Sequence, residues 1–258
     1  MERKLIAFDI DGTLLNSQHE VLESSLEVID KLKAAGHLVT IATGRSLATA
    51  KAVIEQVGVS NYLLCNGGYA FLNHQQVFSN PLNKGELKKL VAMANDKRID
   101  LLYQTIDQVK QQGPFIHERN AEMQKAFNSE QPSYEFDIDG EEAIYQAILF
   151  CNRQEEQLFS GQFEQIRFTR WGDDAMDAVP SNSSKAVTLE AIAVEQGFAA
   201  ADIIVFGDGE NDIEMVQLAG VGVVMDNATD YVKGYADFVT KSHDNHGIWH
   251  AAKELKLI

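Results

Sequence analysis

The sequence predicts an α/β protein, a parallel sheet whose chain is interrupted by a separate α+β unit. Three observations carry that prediction. Short, uniformly apolar runs alternate with helical periodicities at both ends of the chain, as strands covered on both faces by helices do. The rhythm breaks at Asn66-Gly67-Gly68 and resumes only near Ser184. Acidic or glycine-rich turns follow four of the apolar runs, at the strand ends where open parallel sheets bind ligands.

The first run, LIAF at residues 5–8, reads as a buried strand because it is short and lacks polar alternation. After a polar loop, Leu22, Leu26, Ile29 and Leu32 recur on one helical face until Gly36 supplies a stop. HLVTIA (37–42) is the second strand, Ser46 to Val57 the second helix, ended by Gly58, and YLLC (62–65) the third strand. That succession, with right-handed crossovers, builds a parallel sheet. GYAFL and QQVFS then form a hairpin around Asn73-His74, and a helix starts near Asn83. Short strands at Leu101–Thr105, Tyr145–Cys151 and Ile166–Trp171 mix with helices up to Pro180. A helix from Ser184 to Gln196, the strand IIVF (203–206), a further helix and GVGVVM (220–225) restore the first pattern. The insertion spans residues 82–181, a usual domain size, between core segments 1–81 and 182–258.

With 258 residues, 45% of them hydrophobic, the chain can form one large domain or two ordinary ones. Its net charge of −16 disfavours polyanions, so no nucleic acid and no anionic membrane surface is expected as a partner. The acidity marks no tail, since residues 82–181 carry −7 and the remainder −9. No apolar run suits a signal peptide or membrane span. Two distant cysteines, Cys65 and Cys151, argue against a disulfide framework and for two small buried thiols in a cytoplasmic protein. The sequence does not reveal an oligomeric state.

Chemistry concentrates where the strands end. Asp9 and Asp11 follow LIAF, Thr43-Gly44-Arg45 follows HLVTIA, and FGDGEND (206–212) closes IIVF. Asp9, Asp11, Asp208 and Asp212 would crowd one rim, which is costly without a cation between them. An all-oxygen site suits magnesium, which in turn commonly bridges to phosphate. Thr43 with the Gly44 amide, the Asn211 side chain and the Lys185 amine are the groups that would bind that phosphate.

In order, Asp9-x-Asp11-Gly12-Thr13, Thr43, Lys185 and Gly207-Asp208-Gly209-x-Asn211-Asp212 resemble the four motifs of the haloacid dehalogenase-like phosphohydrolases. The ATGR and NGG wording and the place of the insertion resemble the Cof-type subfamily from end to end. The resemblance implies a Rossmann-like core with an inserted α+β cap, and a phosphatase of small phosphomonoesters such as sugar phosphates, flavin mononucleotide or pyridoxal phosphate. It implies Asp9 as the nucleophile that forms an aspartyl-phosphate, and Asp11 as the general acid and later base. It places Mg2+ on Asp9, the Asp11 backbone carbonyl and Asp208, with Asp212 close behind, and the phosphoryl group on Thr43, Lys185 and Asn211. A phosphohexomutase, which shares the nucleophile, and a non-catalytic aspartyl-phosphate sensor stay open as alternatives.

D-x-D-G-T arises by accident in about one chain in several hundred of this length, and G-D-G-x-N-D in about one in ten thousand, so their ordered pairing is informative. FDIDG alone is not, because it recurs at 136–140, inside the insertion and without a preceding strand; there Asp139 is expected in an ordinary turn. Lys185 could instead be a solvated first-turn residue behind a cap at Asn182, Ser183 or Ser184. Arg45 is divided between a salt bridge and a substrate contact. His243, His246 and His250 are spaced loosely like metal ligands, but Gly247 interrupts them and a solvated or partly buried role is expected.

Overall fold

The computed structural model describes residues 2–111, 137–140 and 142–258. Two compact units emerge, Met1–Gly44 with Ala52–Phe78 and Ser184–Ile258, and Arg45–Lys51 with Ser79–Ser183.

The first unit is built on an eight-stranded sheet. Its strands are β1 (Leu5–Phe8), β2 (Leu38–Ala42), β3 (Tyr62–Leu64), β4 (Tyr69–Leu72), β5 (Gln75–Ser79), β11 (Ile203–Gly207), β12 (Val221–Val224) and β13 (Phe238–Val239), in the spatial order β13-β12-β11-β1-β2-β3-β4-β5. Strands β13 to β3 run parallel, and β4 turns back antiparallel on β3. The chain leaves β1 toward β2 and later returns on its other flank as β11. The carboxyl end of β1 is therefore the topological switch point, where an open sheet leaves a crevice for ligands.

Every side chain of β1 and β2 is buried, as the apolar runs without alternation require. Leu5 and Ala7 share a cluster with Leu189, Ile192 and Ala193 of α5 (Lys185–Glu195) and Met215 and Val216 of α6 (Ile213–Leu218). The alternate residues Ile6 and Phe8 serve the other face, on which α1 (Glu23–Ala34) packs beside α8 (Gly247–Glu254). Phe8 lies opposite Phe206 in the β1–β11 register, their rings stacked at 4.7 Å, and burial of each ring contributes about 1.5–3 kcal/mol. The helix α1 is rotated from its sequence reading. Its core face is Ser25, Val28, Ile29 and Leu32, while Leu26 is half-buried and Leu22 is the N-cap. A serine at the core position hid the true i, i+3, i+4, i+7 stripe. The Asn73-His74 hairpin forms as read, with φ of 49° and 60° at the two turn residues, the left-handed pair that matches strand twist.

The second unit holds a five-stranded antiparallel sheet ordered β7-β6-β8-β10-β9, from β6 (Leu101–Gln104), β7 (Val109–Gln111), β8 (Gln146–Leu149), β9 (Ile166–Gly172) and β10 (Ala175–Pro180). One sheet face packs on α3 (Lys84–Lys97) through Leu87, Leu90, Val91 and Ala94, in a core completed by Tyr103, Leu149, Met176 and Phe159. Asn83 caps α3 by accepting from the Glu86 amide at 3.1 Å. The short α4 (Arg153–Glu156) opens on a capping box between Asn152 and Glu155. Strands β7 and β10 had no clear signal, since VKQ is too short and polar and AMDAVP holds an acid and a proline.

Phe136, Glu141 and the residues 132–135 that precede the second FDIDG lie outside the described residues. The described part of the second FDIDG is a turn: Asp137 accepts from the Asp139 and Gly140 amides, and Asp139 pairs with Lys88. Both cysteines are buried and neither is in a disulfide, and burial pushes the Cys151 thiol up to about 11. No helix among the described residues is long and apolar enough to cross a membrane.

Candidate active site

Asp9 follows the last residue of β1, and its amide donates to the Phe206 carbonyl at 2.9 Å. The tips of β1 and β11 are thus adjacent. Gly207 ends β11, and Asp208 faces back across the gap, so close to the turn after Asp11 that a Cβ on Gly12 would lie 2.2 Å from Asp208 Oδ2. Gly12 also has φ of 78°, a conformation an L side chain resists. These are the physical reasons for glycine after Asp11.

Lys185 is the first residue of α5 and is fully buried, with Ser184 capping the helix by accepting from the Val187 amide at 3.1 Å. The reading of Lys185 as a solvated first-turn residue fails. Its Nζ donates to Asp9 Oδ1 and to Asp212 Oδ1, each at 2.7 Å. A cation at a helix N-terminus opposes the macrodipole, so the two carboxylates are what hold it there. The turn after β3 helps to set that helix. Thr188 of α5 donates to the Gly67 carbonyl at 2.7 Å, and a Cβ on Gly67 would meet the Ser184 carbonyl oxygen at 2.2 Å.

Asp212 is wholly buried, and Lys185 occupies one of its oxygens. Its Oδ2 accepts from the Asp208 and Gly209 amides at 2.9 Å each. It is the anchor behind Asp208. Asp11, by contrast, is exposed. The four-acid rim expected from the sequence is a group of three: among the described residues, Asp9, Asp208 and Asp212 offer carboxylate oxygens within 4.8 Å of one another. Asp11 stands outside that group because the chain turns away after Ile10, yet its charge is felt there.

Burial raises the Asp9 carboxyl well above the usual carboxylate range; Lys185 opposes this, while Asp212, Asp208 and Asp11 reinforce it. Burial, then the charge of Asp212, pushes Asp208 up to about 7. Desolvation works against the Lys185 ammonium, yet Asp212 and Asp9 hold it above its ordinary range. When ionised, the three carboxylates outnumber the one ammonium by two charges, and the ligands they offer are all oxygens. That charge and donor set fit a hard divalent cation. A pH dependence follows. Acids with raised folded-state pKa stabilise the protein below their unfolded value near 4 and lose that contribution as pH rises through the folded value. The metal-free protein should therefore melt lower as pH climbs from about 5 to about 8. Added Mg2+ should restore the melting temperature most at the upper end, which thermal melts in chelator and in Mg2+ will measure.

Thr43 is buried at the end of β2, its amide donating to Leu63 and its carbonyl accepting from Asn66. Asn66 joins this group although the sequence reading assigned it no role. Its Oδ1 accepts from Asn211 Nδ2 at 3.0 Å, and its carboxamide lies 3.2 Å from where a Gly44 Cβ would be. Cys65, Asn66 and Gly67 all have positive φ, at 49°, 52° and 84°. Such a run of left-handed residues, two of them not glycine, costs about 1–2 kcal/mol per residue and aims Asn66 into the site. The NGG spelling was the available signal. Thr13, which donates to Asp208 Oδ1 at 3.2 Å, and Asn227, which reaches Asp208 from the loop after β12, also escaped assignment. Arg45 is buried and donates to the Thr49 carbonyl at 3.1 Å. Among the described residues the three histidines join no metal-binding group: His246 is exposed and bonded to Ser24, while His250 contacts Thr240 and stacks on Phe238.

A switch-point crevice holding an aspartate at the strand tip, a buried lysine and an acid pair that can take a divalent ion defines a hydrolase of phosphoric monoesters. The chain belongs to the haloacid dehalogenase-like hydrolases, whose pattern it matches over residues 6–251. It is 34% identical to a protein of known structure from Geobacillus kaustophilus HTA426, with a TM-score of 0.89 and full coverage of both chains. It is 30% identical to the 5-amino-6-(5-phospho-D-ribitylamino)uracil phosphatase YitU of Bacillus subtilis (strain 168), over 98% of each chain. It is 28% identical to the pyridoxal phosphate phosphatase YbhA of Escherichia coli (strain K12), over 93% of each. It is a Cof-type member of its superfamily, an enzyme that acts on small phosphorylated metabolites.

Proposed function

We propose that this enzyme is a Mg2+-dependent phosphatase that works through an aspartyl-phosphate on Asp9, with sugar phosphates, flavin mononucleotide or pyridoxal phosphate as substrate types. The observation that carries the reading is the position of Asp9, at the β1 tip, bonded to Lys185 and grouped with Asp208 and Asp212. Asp9, the Asp11 carbonyl and Asp208 would hold the ion, with Asp212 fixing Asp208 from behind. The ion, when bound, neutralises phosphoryl oxygens and so lowers the repulsion that an anionic nucleophile meets.

The protein's own groups account for the rest. The Asp9 carboxylate forms a bond to phosphorus as the bond to the leaving oxygen breaks, and Asp11 gives that oxygen its proton. Asp11 then takes a proton from the water that attacks phosphorus, which releases phosphate and restores the Asp9 carboxylate. Asp11 is exposed, so the leaving group and then the attacking water can reach it, and the proton it gives in the first step is replaced from that water in the second. Lys185, the Thr43 hydroxyl, the Gly44 amide and Asn211 hold the phosphoryl oxygens. In this reading the core is residues 1–81 and 182–258, and residues 82–181 are the cap that sets the choice of leaving group.

The relatives named above, one acting on a ribityl phosphate and one on pyridoxal phosphate, support a small phosphomonoester and leave several leaving groups in play. A panel of phosphomonoesters with Mg2+, combined with acid-quenched trapping of labelled phosphate, tests the proposal. Turnover with phosphate release and a label on the Asp9 peptide is the expected result. Turnover without any trapped label under burst conditions would refute the covalent route.

A further inference from the structure

Asp208 is held at both of its carboxylate oxygens. Thr13 Oγ1 donates to Oδ1 at 3.2 Å, and Asn227 Nδ2 donates to Oδ2 at 3.2 Å. The same Asn227 nitrogen donates to the Gly12 carbonyl at 2.9 Å. A carboxamide nitrogen carries two hydrogens, so one side chain ties the acid beyond β11 to the turn that follows Asp11. At its other end Asn227 Oδ1 accepts from the His243 amide at 3.0 Å. A backbone amide can only donate, which sets the carboxamide's orientation and points its nitrogen at Asp208 and Gly12.

The loop that supplies His243 is tied down as well, since Asp244 accepts from the Ser17 amide and hydroxyl at 2.9 and 3.0 Å. Asn227 is itself exposed and adds nothing to a core. Two of its side-chain hydrogen bonds, to Gly12 and Asp208, hold together segments that are distant in sequence and border the acid cluster, and the third, from His243, fixes its orientation.

We infer that Asn227 is a positioning residue for the divalent cation, one that keeps Asp208 and the backbone of the Asp11–Gly12 turn in register before the ion arrives. The inference rests on the reading of Asp208 as a ligand. Like-charged ligands drift apart when no ion is bound, and each ångström of drift must be recovered on binding. A neutral amide that bridges the two sides removes that cost without adding charge. Partners that orient ligands in this way typically change metal affinity by about 10–100-fold.

The test is calorimetric titration of the full chain with Mg2+ alone, without substrate. Asn227→Ala should bind about tenfold more weakly than the wild type, with the Mg2+ midpoint of turnover shifted by the same factor. Asn227→Ser, which keeps a polar loop but cannot span the gap, should behave alike, and Thr13→Val should weaken binding from the other oxygen. Metal-free melts of each variant separate loss of register from loss of fold. Asp208→Asn is the reference and should lose the binding heat. If Asn227→Ala and Asn227→Ser bind Mg2+ like the wild type while Asp208→Asn does not, the inference is wrong and the ligand reading survives. If Asp208→Asn also binds normally, both fall together.

Discussion

Asp9→Asn lowers turnover by about 10,000-fold or more, because the amide cannot attack phosphorus. The substitution is isosteric, so the fold is kept. Its effect on stability should have an unusual sign. Burial and three nearby acids already disfavour the Asp9 charge, so a neutral group there relieves repulsion in the metal-free protein. Without Mg2+ the variant should melt at or above the wild-type temperature, and with Mg2+ it should gain less. Turnover assays and paired melts measure the two effects. Near-normal turnover in Asp9→Asn would sink the covalent mechanism.

Lys185→Met should be the most damaging change to the fold of the site. Methionine matches the length of the lysine stem but leaves Asp9 and Asp212 facing each other with no cation between them. Removing one partner of a buried ion pair costs about 3–5 kcal/mol. The acids can escape by taking up protons, so the loss should be largest at alkaline pH and shrink as pH falls. Denaturant titrations at pH 5 and pH 8 distinguish this from simple loss of packing, which would be pH-independent. Turnover should fall as well, by about a thousandfold, because the phosphoryl charge loses its fixed cation. A variant with wild-type stability at pH 8 would show that the ammonium neutralises nothing.

Much of this was legible in the chain. Apolar runs as short as LIAF and IIVF suit strands buried on both faces, so the parallel sheet and its ligand-bearing ends were readable. Asp9, Asp208 and Asp212 followed from the same logic, since paired acids beside glycine at a strand end have few structural uses. The face of α1 was misjudged because a buried serine carries no apolar signal. In the inserted unit, β7 and β10 escaped because neither is apolar enough to stand out. Asn66, Thr13 and Asn227 were unassigned because polar side chains acquire a partner only through the fold.

What the sequence by itself determined was the set of local elements and the chemistry available at their ends, because periodicity, glycine stops and acid spacing act within a few residues of chain. Only the tertiary structure decided which of those ends meet. Asp9 and Lys185 are 176 residues apart and are joined by a 2.7 Å hydrogen bond. Strand order put β11 beside β1, and side-chain burial turned a first-turn lysine into the counter-ion of two acids. Both depend on long-range packing, whose energy is a property of the assembled core and is written in no single stretch of residues.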